Sequence, residues 1–164
     1  HLVLSTLHTN NAPETLTRLL DMGMNPLNIS DSFLGVLAQR LVRKLCDKCK
    51  ESYQPSEEEF EDIEVDFGKK ALAAAGYTFN SRPELSRSLG CEICSGSGYK
   101  GRMGIHELME GTPEIKILIK KNATSQDLGK QAIKQGMETL KQDGIHKVFE
   151  GITDIREVRR VSVE

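Results

Sequence analysis

The chain contains no tryptophan, and its 5 phenylalanines and 3 tyrosines bring aromatics to only 5% of 164 residues. A core built from these residues must rely on Leu, Ile, Val and Ala, within an apolar fraction of 38%. No apolar run reaches the roughly 18 residues that span a bilayer as a helix, so no transmembrane segment is expected. Nor is there a secretory signal pattern. A net charge of −2 lacks the basic excess of a nucleic-acid-binding surface, so nucleic acid is not an expected partner. A G-x-x-x-x-G-K-[ST] phosphate loop is missing as well. Gly68-Lys69-Lys70 and Gly129-Lys130-Gln131 both lack the Ser or Thr that should follow Lys. No carboxylate pair at a strand end suggests Mg²⁺ ligation. These residues are therefore not expected to bind and cleave a nucleotide by themselves.

Cysteine is scarce too, with four in the chain, but all four fall in two pairs, Cys46-Asp47-Lys48-Cys49 and Cys91-Glu92-Ile93-Cys94. The i, i+3 spacing lets each pair bend round a turn and aim both sulfurs at a point about 2.3 Å away, as a tetrahedral zinc ion requires. Buried single cysteines are ordinary small hydrophobes, but two such pairs with none left over read as a structural Cys₄ zinc site. A redox dithiol is the competing reading, and it calls for one pair opening a helix after a strand. Ser95-Gly96-Ser97-Gly98 is a poor helix start. Glycines there can instead take positive φ and turn N–H groups towards the sulfurs. His1, His106 and His146 are assigned to no metal, because four thiolates complete a structural site. The pattern suits a reducing compartment better than disulfides.

Along the chain, Leu2-Val3-Leu4-Ser5-Thr6-Leu7 reads as a buried parallel strand. It is followed by a helix that begins near Asn11 or Ala12 with Pro13 in its first turn, carries Leu16, Leu19, Leu20 and Met24, and stops near Gly23. A second helix is expected from about Ser30 to Val42, with Phe33, Leu34, Leu37, Leu41 and Val42 on one face. Ser56 and Glu59 resemble a capping box for an acidic helix bearing Phe60, Ile63 and Phe67, whose acids between Glu57 and Asp66 read as a solvated face. Lys69 to Gly76 makes another helix, and residues 77–90 give no signal. Residues 102–109 alternate as a strand. Thr112-Pro113, Thr124 with Asp127, Leu140 to Phe149, and Thr153 then mark four short helices, with Leu128, Ala132 and Ile133 as the inward stripe of the second.

The polar group Ser5, Thr6, His8, Thr9 and Asn10 follows the proposed strand, where open α/β sheets bind ligands. An ordinary strand-to-helix loop fits those residues equally well. The chain opens at His1 inside an apolar segment with no Met, and it is read as a piece of a longer protein.

Taken together, these motifs resemble the C-terminal part of a type II secretion or type IV pilus assembly ATPase. His1 to Asn10 is similar to that family's His box. Leu34 to Arg43 is similar to its Leu-Ala-Gln-Arg-Leu helix, and the cysteine pairs with Gly98 to Ile105 are similar to its zinc module. Asp47 and Glu92 depart from it, since Pro often follows the first cysteine of a knuckle there. The resemblance implies an α/β fragment in three consecutive parts. Residues 1–45 would end a RecA-like domain, 46–105 would form the zinc module held by Cys46, Cys49, Cys91 and Cys94, and 106–164 would form a small, mostly helical C-terminal subdomain. It implies a homohexameric motor on the cytoplasmic face of the inner membrane, driven by ATP with Mg²⁺ and working through an integral-membrane platform protein. His8 would sit near the γ-phosphate in the full-length protein, whose Walker motifs lie upstream, so this piece is expected to be inactive alone. A free-standing zinc-stabilised interaction module is the alternative.

Overall fold

A computed structural model describes residues 1–162. Leu2, Val3 and Leu4 are exposed and, with their neighbours, form no strand. The expected parallel strand is corrected on that ground. A strand's N–H and C=O groups need neighbouring strands, and the two sheets among the described residues are made by other segments. α1 (Ala12–Asp21) begins where expected, with Asn11 accepting the Glu14 N–H at 2.9 Å and Leu16 fully buried. Asn25 caps α2 (Pro26–Ser32) in the same way.

The helix expected over 30–42 is instead β1 (Gly35–Leu45). Ala38, Val42 and, at its end, Leu45 are its buried residues, and the spacing of four between Ala38 and Val42 satisfies a strand period of 2 as well as a helical one of 3.6. The leucines taken as the helix stripe, Leu34, Leu37 and Leu41, are more than half exposed. What selects the strand is a remote partner, β4 (Tyr99–Glu110). Gly111 N–H donates to Leu34 O at 2.8 Å and Cys46 N–H donates to Gly98 O at 2.9 Å, so the two strands run antiparallel.

Between them lie β2 (Lys50–Tyr53), α3 (Glu57–Phe67), α4 (Lys69–Ala74) and β3 (Leu85–Ser88). After β4 come α5 (Pro113–Lys120), α6 (Ser125–Lys134), α7 (Leu140–Phe149) and α8 (Ile155–Val161). Ser56, Thr112 and Thr124 cap α3, α5 and α6 as the sequence indicates. Ile133 departs from its expected place and is half exposed. For α8 the cap is Asp154, which accepts the Glu157 N–H at 3.0 Å, and not Thr153. The Thr153 hydroxyl is buried and donates to Arg43 O at 2.8 Å, a tertiary use that the local sequence does not reveal.

The architecture is mixed α/β and divides into two compact units, each drawn from two separated stretches of chain. One comprises His1–Gln39 and His106–Thr139; the other comprises Arg40–Ile105 and the chain from Leu140. In the first, α1 packs on α6 and α2 on α5, around Leu16, Ile115, Ile119 and Leu128. In the second, α3 packs on α7. Phe60 and Ile63 are buried there, and Tyr77 stacks on Phe149 with ring centroids 4.1 Å apart. The acidic face of α3 is partly neutralised, because Asp66 accepts from Arg159 at 2.7 Å.

Within the second unit, α8 is fastened to β1 by a buried carboxylate. Glu157 accepts the backbone N–H of Arg43 at 3.0 Å and two bonds from Arg160, at 2.8 and 3.0 Å, and forms an ion pair with the Arg43 guanidinium. Arg43 also lies 4.1 Å from the centre of the Tyr99 ring. Burial opposes ionisation of Glu157, but the bonds from Arg160 and Arg43 outweigh it and lower its pKa to about 2. A carboxylate depressed in this way stabilises the fold fully above about pH 5 and loses that contribution as pH falls towards 2. Glu157→Gln should therefore cost about 2–3 kcal/mol at neutral pH in a denaturant titration. The gap from the unchanged protein should narrow steadily as the titration is repeated at lower pH.

Candidate metal centre

Each cysteine sits at or beside the end of a strand. Cys46 follows β1, Cys49 precedes β2, Cys91 follows β3 across Leu89 and Gly90, and Cys94 precedes β4 across residues 95–98. The antiparallel register of β2 and β3 sets Lys50 opposite Ser88 and Tyr53 opposite Leu85. That register carries Cys49 and Cys91 to the same end of the ladder, which Leu89 N–H extends by donating to Cys49 O at 3.3 Å.

The two turns are built alike. Cys46 O accepts the N–H groups of Cys49 and Lys50, at 3.1 and 2.9 Å, and Cys91 O accepts those of Cys94 and Gly96, at 3.2 and 2.9 Å. Gly90 and Gly98 have φ of +86° and +77°, a region that side chains disfavour. A Cβ on Gly90 would lie 2.6 Å from Gly96 O, inside the second knuckle.

The four sulfurs all lie within 4.8 Å of one another. The Cys46–Cys91, Cys49–Cys94 and Cys91–Cys94 separations are 3.9, 3.8 and 3.8 Å. Four thiolates about 2.3 Å from a tetrahedral ion stand about 3.8 Å apart, so the spacing fits a single ion. It exceeds by far the roughly 2.05 Å of a disulfide, and all four thiols are free. No histidine or carboxylate joins the group among the described residues.

The surroundings treat the four sulfurs unequally. Cys94 Sγ accepts the backbone N–H groups of Cys91 at 3.1 Å and Gly98 at 3.3 Å. The Cys91 N–H does most to lower the Cys94 thiol pKa, to about 6; burial works against it and the Gly98 N–H assists. Cys91 is shifted the other way. The Cys94 backbone N–H favours its thiolate, but burial and the neighbouring thiols Cys49 and Cys94 prevail and raise it. Cys49 Sγ lies 3.0 Å from Ser88 Oγ. Ser88 was not apparent from the sequence, because its role comes from the β2–β3 register and not from any spacing motif. Asp47 adds little uncompensated charge, since Lys50 pairs with it at 2.8 Å and lowers its pKa.

His8 lies in the other unit, exposed in the irregular segment before α1, and is not a member of the clustered ligand group. Within residues 1–10, Thr9 Oγ1 lies 2.7 Å from Thr15 Oγ1 and the Asn10 N–H donates to Glu14 Oε2 at 3.3 Å. No helix among the described residues is long and apolar enough to cross a membrane.

Comparison with known proteins matches residues 1–160 to the family described as type II/IV secretion system protein. The type IV pilus assembly ATPase PilB of Thermus thermophilus is 40% identical over 164 residues, covering 100% of this chain and 17% of that protein. Type II secretion system protein E of Pseudomonas aeruginosa is 43% identical over 164 residues, covering 100% of this chain and 30% of that protein. The type II secretion system ATPase E of Vibrio cholerae is 42% identical over 168 residues, again covering 100% and 30%. The chain thus spans less than a third of each of these relatives.

Protein purified without chelator should carry one metal ion per chain by elemental analysis, and Cys94→Ser should abolish retention. Gly90→Ala should weaken retention at least ~10-fold against a competing chelator dye, because the knuckle must open to admit the new carbon.

Proposed function

The chain belongs to the type II/IV secretion system protein family, and we propose that it is the C-terminal part of an ATPase motor that drives type II secretion or type IV pilus assembly. Residues 1–45 are the end of a RecA-like domain, 46–105 a zinc-binding module, and 106–164 a helical subdomain. The longer protein is a homohexamer on the cytoplasmic face of the inner membrane. There it uses ATP and Mg²⁺ to act on an integral-membrane platform protein. His8 senses the γ-phosphate within that protein. Because the phosphate-binding loop is not among these residues, the chain alone does not hydrolyse ATP.

The observation that carries this reading is identity at about 40% running through the whole chain, the segment before the cysteines included. A free-standing zinc-stabilised interaction module would have no need of residues 1–45, and so accounts for less of the sequence.

Zinc suits the four-thiolate set, which is soft, tetrahedral and closed. Cys46, Cys49, Cys91 and Cys94 would hold it, and when bound it cross-links the strand ends without leaving an open position for a substrate. The N–H groups of Cys91 and Gly98 and the Ser88 hydroxyl orient the sulfurs. The role of the metal is therefore structural.

In the full-length protein, ATP hydrolysis should be measurable and His8→Ala should lower kcat at least ~10-fold. The 164-residue chain alone should release no phosphate above background. Hydrolysis by the isolated chain, or its absence from the full-length protein with bound metal, would reverse the assignment.

A further inference from the structure

Glu107 takes no part in the metal centre, yet it is only 4% exposed on a strand whose adjacent residues His106 and Leu108 face solvent. Its Oε1 accepts the backbone N–H of Ala12, the first residue of α1, at 2.7 Å. That N–H has no partner within the helix, and a carboxylate at a helix N-terminus is favoured by the helix dipole. Several other bonds at this end of α1 are local, among them the Thr15 hydroxyl donating to Asn11 O at 3.3 Å. Asn11 Oδ1 accepts the Glu14 N–H at 2.9 Å, Glu14 Oε2 accepts the Asn10 N–H at 3.3 Å, and the Thr9 and Thr15 hydroxyls meet at 2.7 Å. These ties hold the segment before α1 to its own helix and would move with it. The Glu107 bond, from a residue 95 positions away, fastens the start of α1 to a strand.

A buried carboxylate is expensive to desolvate unless it is bonded, and one bond Glu107 makes is to the first N–H of α1. We propose that Glu107, by holding the start of α1, is a positioning residue for the segment from His8 to Asn11 that precedes it, fixing the backbone from which His8 reaches the terminal phosphate of a nucleotide. This rests on the reading of His8 given above. Glu107 acts through its acceptor oxygen and touches no reacting atom.

In the full-length protein, Glu107→Ala should lower kcat about tenfold while leaving KM for ATP within about twofold and the metal content unchanged. Glu107→Gln keeps an oxygen that accepts the Ala12 N–H and should stay within about threefold of the unchanged protein. In a His8→Ala background, Glu107→Ala should cost less than about twofold more, since both changes remove the same function. An unchanged kcat in Glu107→Ala, or losses that simply multiply in the double variant, would overturn the proposal. If His8→Ala by itself leaves kcat intact, the fault lies with the reading of His8. Hydrogen exchange on the full-length protein then decides the positioning role alone. The Ala12 amide should exchange at least ~10-fold faster in Glu107→Ala, and an unaltered rate would dispose of the clamp.

Discussion

Four thiolates held at separations near 3.8 Å repel one another strongly unless a cation lies among them, and much of the second unit is arranged around that constraint. The antiparallel register of β2 and β3 brings one cysteine from each pair to a common end. The carbonyl of each pair's first cysteine gathers two N–H groups and closes a turn. Glycine at 90 lets the second turn sit where any side chain would collide with Gly96. A core with no tryptophan and few aromatics gains from such a cross-link, because its apolar burial alone is modest.

Local signals in the sequence were legible where the chemistry is local. Asn11, Ser56, Thr112 and Thr124 cap helices because a short polar side chain followed by a periodic apolar stripe leaves few other conformations. The paired cysteines were legible because ligand spacing is dictated by the ion and not by the fold. β1 was misread because Ala38 and Val42 satisfy two periods at once, and the deciding partner, β4, is far along the chain. Thr153, Glu157, Ser88 and Glu107 share a different reason. Each is a polar residue whose partner is remote in sequence, at Arg43, Cys49 or Ala12, so nothing in its neighbourhood marks it.

Family membership and local geometry contribute different parts of the argument. The matches extend over the irregular residues 1–10 as well as the cysteine module, and so connect the exposed His8 with the four sulfurs in one line of descent. The cysteine geometry alone would fit many proteins, since closed four-thiolate sites recur on unrelated folds.

Cys46 and Cys49 lie at strand ends, and Cys91 and Cys94 within a few residues of theirs, and this arrangement has a mechanical consequence. A pull directed along β1 arrives at Cys46, and one along β4 arrives at Cys94 by way of Gly98, whose N–H bonds the sulfur. With an ion in place, such a load would pass into metal–thiolate bonds before it could peel the short β2–β3 ladder apart one hydrogen bond at a time. The ion would then serve as a rivet, turning a joint that is weak in peeling into one that resists shear.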